Sequence, residues 1–251
     1  MKNFVAIFFY ISNPIVVFSS ILPPDMIICN RNSPSNERNQ CIKSSINKLL
    51  PLMKNGIPSL NVSAIDPFSL EYTSVDYVEG PLTMHIEMMN AKCNGLSRGR
   101  VRNVKSRVND TNFAILMSMF FPKVTIQGKF KGETHLGESK LVSNGNVNIT
   151  GNLISTSFKI SGNMQQNNMV VNEVQIARNE LKGMRTQATG LSNDDDLNAL
   201  VLEFVNQNWE ALYLQFFPQI KILFEPLLKD LANEFFAQIP YDVLMPLKYD
   251  N

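Results

Sequence analysis

Across residues 57–191 apolar side chains recur at every second position, and across residues 197–239 they recur every three or four. The two periods belong to different backbones. Successive side chains of a strand point to opposite faces, whereas residues three or four apart share a helix face. In the first block Leu82, Met84, Ile86 and Met88 alternate with Thr83, His85 and Glu87. Phe113, Ile115, Met117 and Met119 keep the same rhythm, as do Val124 with Ile126, Val147 with Ile149, and Phe158 with Ile160. Gly128, Gly132, Gly137, Asn144-Gly145, Gly151 and Ser161-Gly162-Asn163 punctuate these runs, which predicts short strands joined by turns in an antiparallel meander. One face of that sheet is apolar and must be covered. The second block is the cover. After Asn193 and the capping triplet Asp194-Asp195-Asp196, a wide stripe of Leu, Phe and Trp continues to Ile239. Pro218 and Pro226 predict two segments or a kinked helix. A helix this apolar beside a long one-sided sheet predicts that the sheet wraps around it.

Ahead of the sheet, Ile42, Ile46, Leu49, Leu50 and Met53 give residues 37–55 a helical period, with Pro51 predicting a kink or early end and Gly56 a stop. The chain itself opens on Lys2, then runs apolar through residues 4–18 to Ser19, Ser20 and Pro23. This order predicts a secretory leader over residues 1–22, leaving 23–251 as a single domain. The apolar run is shorter than the roughly 20 residues that span hydrocarbon, and it carries Pro14.

Without Lys2, basic and acidic residues balance at 22 each. That excludes the basic excess of a nucleic-acid binder. Residues 98–107 (RGRVRNVKSR) interleave cations with valines at strand spacing and describe the solvated face of a strand. Of the cysteines, a Cys29–Cys41 pair would close a small loop, with Cys93 left as a buried thiol or an intermolecular partner. Asn61, Asn109 and Asn148 each begin an N-glycosylation triplet.

Catalytic motifs fail on context. Gly95-Leu96-Ser97-Arg98-Gly99 fits the nucleophile-elbow pattern, which needs a helix after the serine and a late histidine. Residues 101–108 are extended in character, and both His85 and His135 precede the helical block. A secreted esterase at Ser97 is therefore the weakest of three readings. Gly128-Lys129-Phe130-Lys131-Gly132 lacks the spacing of a phosphate loop. The acidic triplet lacks that of a calcium loop. No catalytic residue, metal site or cofactor is expected.

Several ordered motifs carry a specific resemblance. Cys29 and Cys41-Ile42-Lys43 are followed by Leu50-Pro51-Leu52, Gly56-Ile57-Pro58-Ser59-Leu60 and Ile65-Asp66-Pro67-Phe68. Asn208-Trp209-Glu210, Phe217-Pro218-Gln219-Ile220 and Ile239-Pro240-Tyr241-Asp242 close the chain. Over residues 29–246 this resembles the takeout / juvenile-hormone-binding-protein family of insects. The Gly95-Leu96-Ser97 turn falls where family members carry a similar one. The resemblance implies an α+β tubular lipid-binding fold, in which a strongly curved antiparallel sheet wraps a long C-terminal helix and encloses an apolar tunnel. It implies a secreted, non-enzymatic, monomeric carrier of a terpenoid, fatty or hormone-like ligand in haemolymph or another extracellular fluid, without stable membrane insertion. The family's N-terminal disulfide maps onto Cys29 and Cys41. No cysteine follows Cys93, so the second disulfide of the hormone carriers is missing and the chain lies nearer the takeout branch. The implied tunnel liners are Met84, Ile86, Met88, Phe113, Ile115 and Met117 on the sheet, with Trp209, Leu212 and Phe216 on the helix. The alternative is a module of the same fold that binds a receptor or partner protein through a filled body.

Overall fold

The structure is a computed structural model that describes residues 22–23 and 26–247, with backbone only at 177–179. The expected leader, Leu22 apart, lies outside the described residues. Helix α1 (Ser35–Leu52) precedes seven strands: β1 (Phe68–Glu79), β2 (Leu82–Asn94), β3 (Arg100–Val108), β4 (Asn112–Leu136), β5 (Ser139–Gln165), β6 (Asn168–Glu180) and β7 (Gly183–Ala188). Helices α2 (Asp195–Gln207), α3 (Trp209–Ala237) and α4 (Tyr241–Leu244) follow. The strands form one antiparallel sheet in the order β1-β2-β4-β5-β6, with β3 paired to β4 and β7 to β5.

Where short strands and frequent turns were expected, two very long strands form the spine. Strand β4 has 25 residues and β5 has 27, joined at Gly137. The other glycines expected as turns lie within strands, and two of them mark close approaches. A Cβ on Gly145 would stand 1.8 Å from the Thr189 carbonyl oxygen. One on Gly162 would meet the Val170 carbonyl oxygen at 1.9 Å and the Phe113 ring.

Both long strands change partners at their middle. Strand β4 pairs with β3 up to Phe120 and with β2 from Thr125. Strand β5 pairs with β7 up to Asn152 and with β6 from Ser155. Pro122 sits in the gap on β4, where its missing N–H leaves no ladder bond unmade. Leu153, with φ of 51°, sits in the gap on β5. The buried positions change phase at the same place, from Phe113, Ile115, Met117, Met119 and Phe121 to Phe130. The molecule therefore has two ends, β3-β4-β5-β6 and β1-β2-β4-β5-β7, meeting at a waist.

Asparagine and glutamate side chains on the helices close the sheet edges. Asn47 of α1 accepts from Val101 N and donates to Val101 O, at 2.8 and 3.1 Å. Asn206 of α2 does the same for Thr186, at 2.8 and 2.9 Å, and Asn233 of α3 for Val171, at 2.8 and 3.1 Å. Asn39, Asn198 and Glu225 accept from the backbone N–H of Ser106, Leu191 and Ile176. Helices α1, α2 and α3 thus supply hydrogen bonds that a further strand would have made along β3, β7 and β6. At the opposite edge Tyr77 of β1 stacks on Phe216 of α3, with ring centroids 4.8 Å apart. Gln215 of α3 donates to the Tyr77 hydroxyl and to Glu79. In a flat sheet β1 and β6 would be four spacings apart, about 19 Å, yet both touch α3. The sheet is curled around the helix.

The C-terminal helical block divides at Asn208, not at its prolines. Asn208 has φ of −104° and ψ of 19°, and its side chain caps the Phe204 carbonyl. Helix α3 then runs for 29 residues through Pro218 and Pro226, about 44 Å. Both prolines are on its exposed face, so the carbonyls they release turn to water. The wide apolar stripe is only partly covered: Leu197, Leu200 and Phe204 of α2 and Leu214 and Ile222 of α3 are exposed.

The N-terminal segment closes the far end. Cys29 and Cys41 form a disulfide. Arg31 lies 2.7 Å from Asp242 and over the Tyr241 ring, tying the segment to α4.

Candidate functional site

The inner face of the sheet differs sharply between the two ends. At the β3-β4-β5-β6 end Phe113, Ile115, Met117, Val171, Val174, Phe235 and Ile239 pack as one buried cluster, to which α1 adds Ile42. At the other end, cross-strand register puts Tyr77 beside Met84, Val75 beside Ile86, and Met88 beside Phe130. The lines continue across β4 and β5 through small residues. Ile86 leads to Gly132 and Ser143, and Phe130 leads to Gly145. Large apolar groups on β1 and β2 thus flank Gly132, while the 189–191 segment covers the next positions: a Cβ on Gly145 would meet the Thr189 carbonyl oxygen, and the buried Ser143 hydroxyl donates to the Leu191 carbonyl at 2.7 Å. The facing surface of α3 carries Trp209, Leu212 and Phe216 at helical spacing, and the Phe216–Tyr77 contact fixes its approach.

The nine expected liners therefore fall into two groups. Phe113, Ile115 and Met117 are 3, 7 and 7% exposed, inside the packed cluster. Met84, Ile86, Met88, Trp209, Leu212 and Phe216 are half-buried and outside that cluster. Sequence reasoning missed Tyr77, Glu79 and Gln215, which bridge β1 to α3. The β1 alternation of Val75 and Tyr77 was the available signal. It also missed Tyr213, which stacks on Phe217 at 5.7 Å and whose hydroxyl burial pushes up to about 12.

Ser97 is 8% exposed, and its hydroxyl donates to Asp66 at 2.5 Å. The Gly95 and Ser97 N–H groups donate to the same carboxylate. Burial raises the Asp66 pKa, but these three hydrogen bonds outweigh it and hold the group below its ordinary value. Gly95 has φ of 101°, and a Cβ there would meet the Lys123 carbonyl oxygen at 2.2 Å. The chain continues into β3, while His85 is bonded to Asp76 and His135 to Glu133. The elbow pattern is a carboxylate-held turn. Cys93 is buried, which pushes its thiol to about 12, with Asp66 adding to the shift. Asn61 and Asn109 are exposed in turns, whereas Asn148 is half-buried in β5. Among the described residues no helix is long and apolar enough to cross a membrane.

A sequence profile of the family described as Haemolymph juvenile hormone binding protein (JHBP) matches residues 4–246. The chain belongs to this family. It is 22% identical over 214 residues to the circadian clock-controlled protein daywake of Drosophila melanogaster, covering 80% of this chain and 82% of that protein. Identity to daywake of Drosophila yakuba is 21% over 217 residues, covering 82% and 83%. The crystal structure of Takeout 1 from Epiphyas postvittana superposes with a TM-score of 0.67 at 17% identity, over 88% of this chain and 100% of that one. At such identity the likeness establishes the fold. The JHBP-family chain has a takeout-like curled sheet around a long C-terminal helix.

Proposed function

We propose that this protein is a secreted carrier that holds one elongated hydrophobic molecule, a terpenoid or fatty compound, between α3 and the apolar face of β1, β2, β4 and β5. One observation carries the reading. Six large apolar side chains, Met84, Ile86 and Met88 on the sheet and Trp209, Leu212 and Phe216 on α3, are half-buried, with Gly132 beside Ile86 adding no side chain, while the other end of the same interior is closed. Natural cores pack to crystal density, so this end has room for a guest. Each methylene of the guest transferred there contributes roughly 0.8 kcal/mol, offset by its ordering. Family membership and the Cys29–Cys41 disulfide support an oxidising extracellular setting, and Asn61 and Asn109 are the proposed glycan acceptors.

Solvent extraction of the secreted protein followed by mass spectrometry is expected to release a lipid. An apolar fluorescent probe is expected to bind and to be displaced by fatty or terpenoid competitors. No extracted lipid together with no probe binding would favour the alternative, a partner-binding body with a filled interior.

A further inference from the structure

On the opposite face of the sheet from this interior, cross-strand register lines up Lys92, Gln127, Asn148 and Gln187 across β2, β4, β5 and β7. Arg185 lies in the next line, beside Thr150. Lys123 and Lys129 share the face on β4 by alternation, four residues before and two after Gln127. Together they line a groove of about 810 Å³ with an extension of about 390 Å³, the two sharing Asn148, Arg185 and Gln187. Every charged side chain lining both parts is basic. Among the described residues none of the four cations has a carboxylate partner within ion-pair distance, although the chain as a whole is nearly neutral. Between the cations the groove is lined by Asn, Gln and Thr side chains together with Val147, Ala188 and Leu202, and one amide acceptor is orphaned. Asn148 Nδ2 donates to Gln187 at 3.4 Å, while Asn148 Oδ1 is buried with no partner. Buried polar atoms are seldom left so.

We propose that this groove binds an acidic oligosaccharide, a glycan carrying sulfate or carboxylate groups. The spacing of the cations sets the class. Lys92 and Arg185 stand on strands three spacings apart, about 14 Å, and Lys123 and Lys129 are six residues apart on one strand, about 20 Å. No single phosphate or carboxylate reaches all four, whereas a chain of sugars with repeated charges does. Sugar hydroxyls match the amides between the cations. The site is independent of the apolar interior, since it uses the other face of the same strands.

The test uses the purified full-length secreted protein and a heparin hexasaccharide, with neutral dextran and phosphatidylserine-containing vesicles as comparisons. Heparin is expected to bind, weakening as salt rises because cations on the protein displace counterions of the polyanion, as with nucleic acids. Dextran and vesicles are expected to bind at least tenfold more weakly. Lys123→Ala with Arg185→Ala should lower heparin affinity at least tenfold. Arg102→Ala with Lys105→Ala, which removes equal charge from exposed positions on β3, should leave it unchanged. Equal loss in both double variants, or in neither, overturns the proposal. So does vesicle binding that exceeds heparin binding, or a glycan found attached to Asn148 by mass spectrometry, which would fill the groove itself. Circular dichroism of each variant verifies folding. Should the groove variant fail to fold, Gln187→Glu, which adds an opposing charge at an exposed position, must give the tenfold loss or the proposal fails.

Discussion

Asp66 holds three hydrogen-bond donors of the 95–97 turn while partly shielded from water. Hydrogen bonds to a charged acceptor contribute about 1.5–3 kcal/mol each in favourable cases, and their effects in one network do not add fully. Asp66→Ala is therefore expected to lower unfolding free energy by about 2–4 kcal/mol in urea titration, and Ser97→Ala by about 1 kcal/mol. The folded-state pKa of Asp66 lies below the ordinary carboxylate value. Its stabilisation is thus complete above that value and is lost as pH falls through the folded pKa. Below about pH 4 the wild-type melting temperature should drop more steeply than that of Asp66→Asn. Parallel curves would show that the carboxylate charge is not what holds the turn. Ser97→Ala should not alter ester turnover, since the Ser97 hydroxyl donates to a carboxylate and both histidines are hydrogen-bonded elsewhere.

At the scale of elements, the edges of the sheet depend on side chains that look unremarkable in sequence. Asn47, Asn206 and Asn233 each give one edge residue both a donor and an acceptor. Replacing any of them with Ala leaves a shielded N–H and C=O unpaired, at about 1–3 kcal/mol. For Asn233→Ala, hydrogen exchange at the Val171 amide should accelerate before global unfolding, and unchanged protection would mean that the edge is held by packing alone. This ladder was not legible beforehand. An asparagine on a helix is equally at home in water, and only the position of the strand beside it gives it a task. Periodicity did reveal the sheet, the N-terminal helix and the apolar C-terminal block, because a phase repeated over many residues overrides local accidents. It did not reveal strand length. Glycine serves both turns and close approaches, so Gly145 and Gly162 resembled ends of strands that in fact continue through them. Proline misled in the same way: Pro218 and Pro226 cost the helix little on its exposed face, and the break fell at Asn208. Of the expected liners, Met84, Ile86, Met88, Trp209, Leu212 and Phe216 are half-buried and outside the closed cluster. The phase of alternation alone does not distinguish them from Phe113, Ile115 and Met117, which fill the closed end.

The whole molecule divides at the waist between Pro122 and Leu153, with a closed apolar cluster at one end and half-buried apolar side chains at the other, and the carrier reading of this division can be tested by substitutions of opposite kind. Ile115→Ala removes volume from the closed cluster and should cost about 2–5 kcal/mol, as large-to-small core changes do. Probe affinity per folded molecule should stay unchanged. Ile86→Trp adds volume on the half-buried face. In a filled core such overpacking costs about 1–3 kcal/mol, but a carrier with a guest space at this end gives the indole somewhere to go beside Gly132. The expected result is near-wild-type stability with at least a tenfold loss of affinity for an apolar probe, because the added ring occupies the guest's space. Met88→Trp should behave alike, being the next inward position on β2. If Ile86→Trp instead destabilises as an overpacked core would and leaves probe affinity intact, that end is solid and the guest must lie elsewhere. If both substitutions act on stability and affinity together, the two ends are one cooperative core and the division at the waist has no functional meaning. Only the crossed result, stability lost at Ile115 and affinity lost at Ile86, fits a carrier whose closed end holds the sheet curled around α3 so that its other end stays open to a ligand.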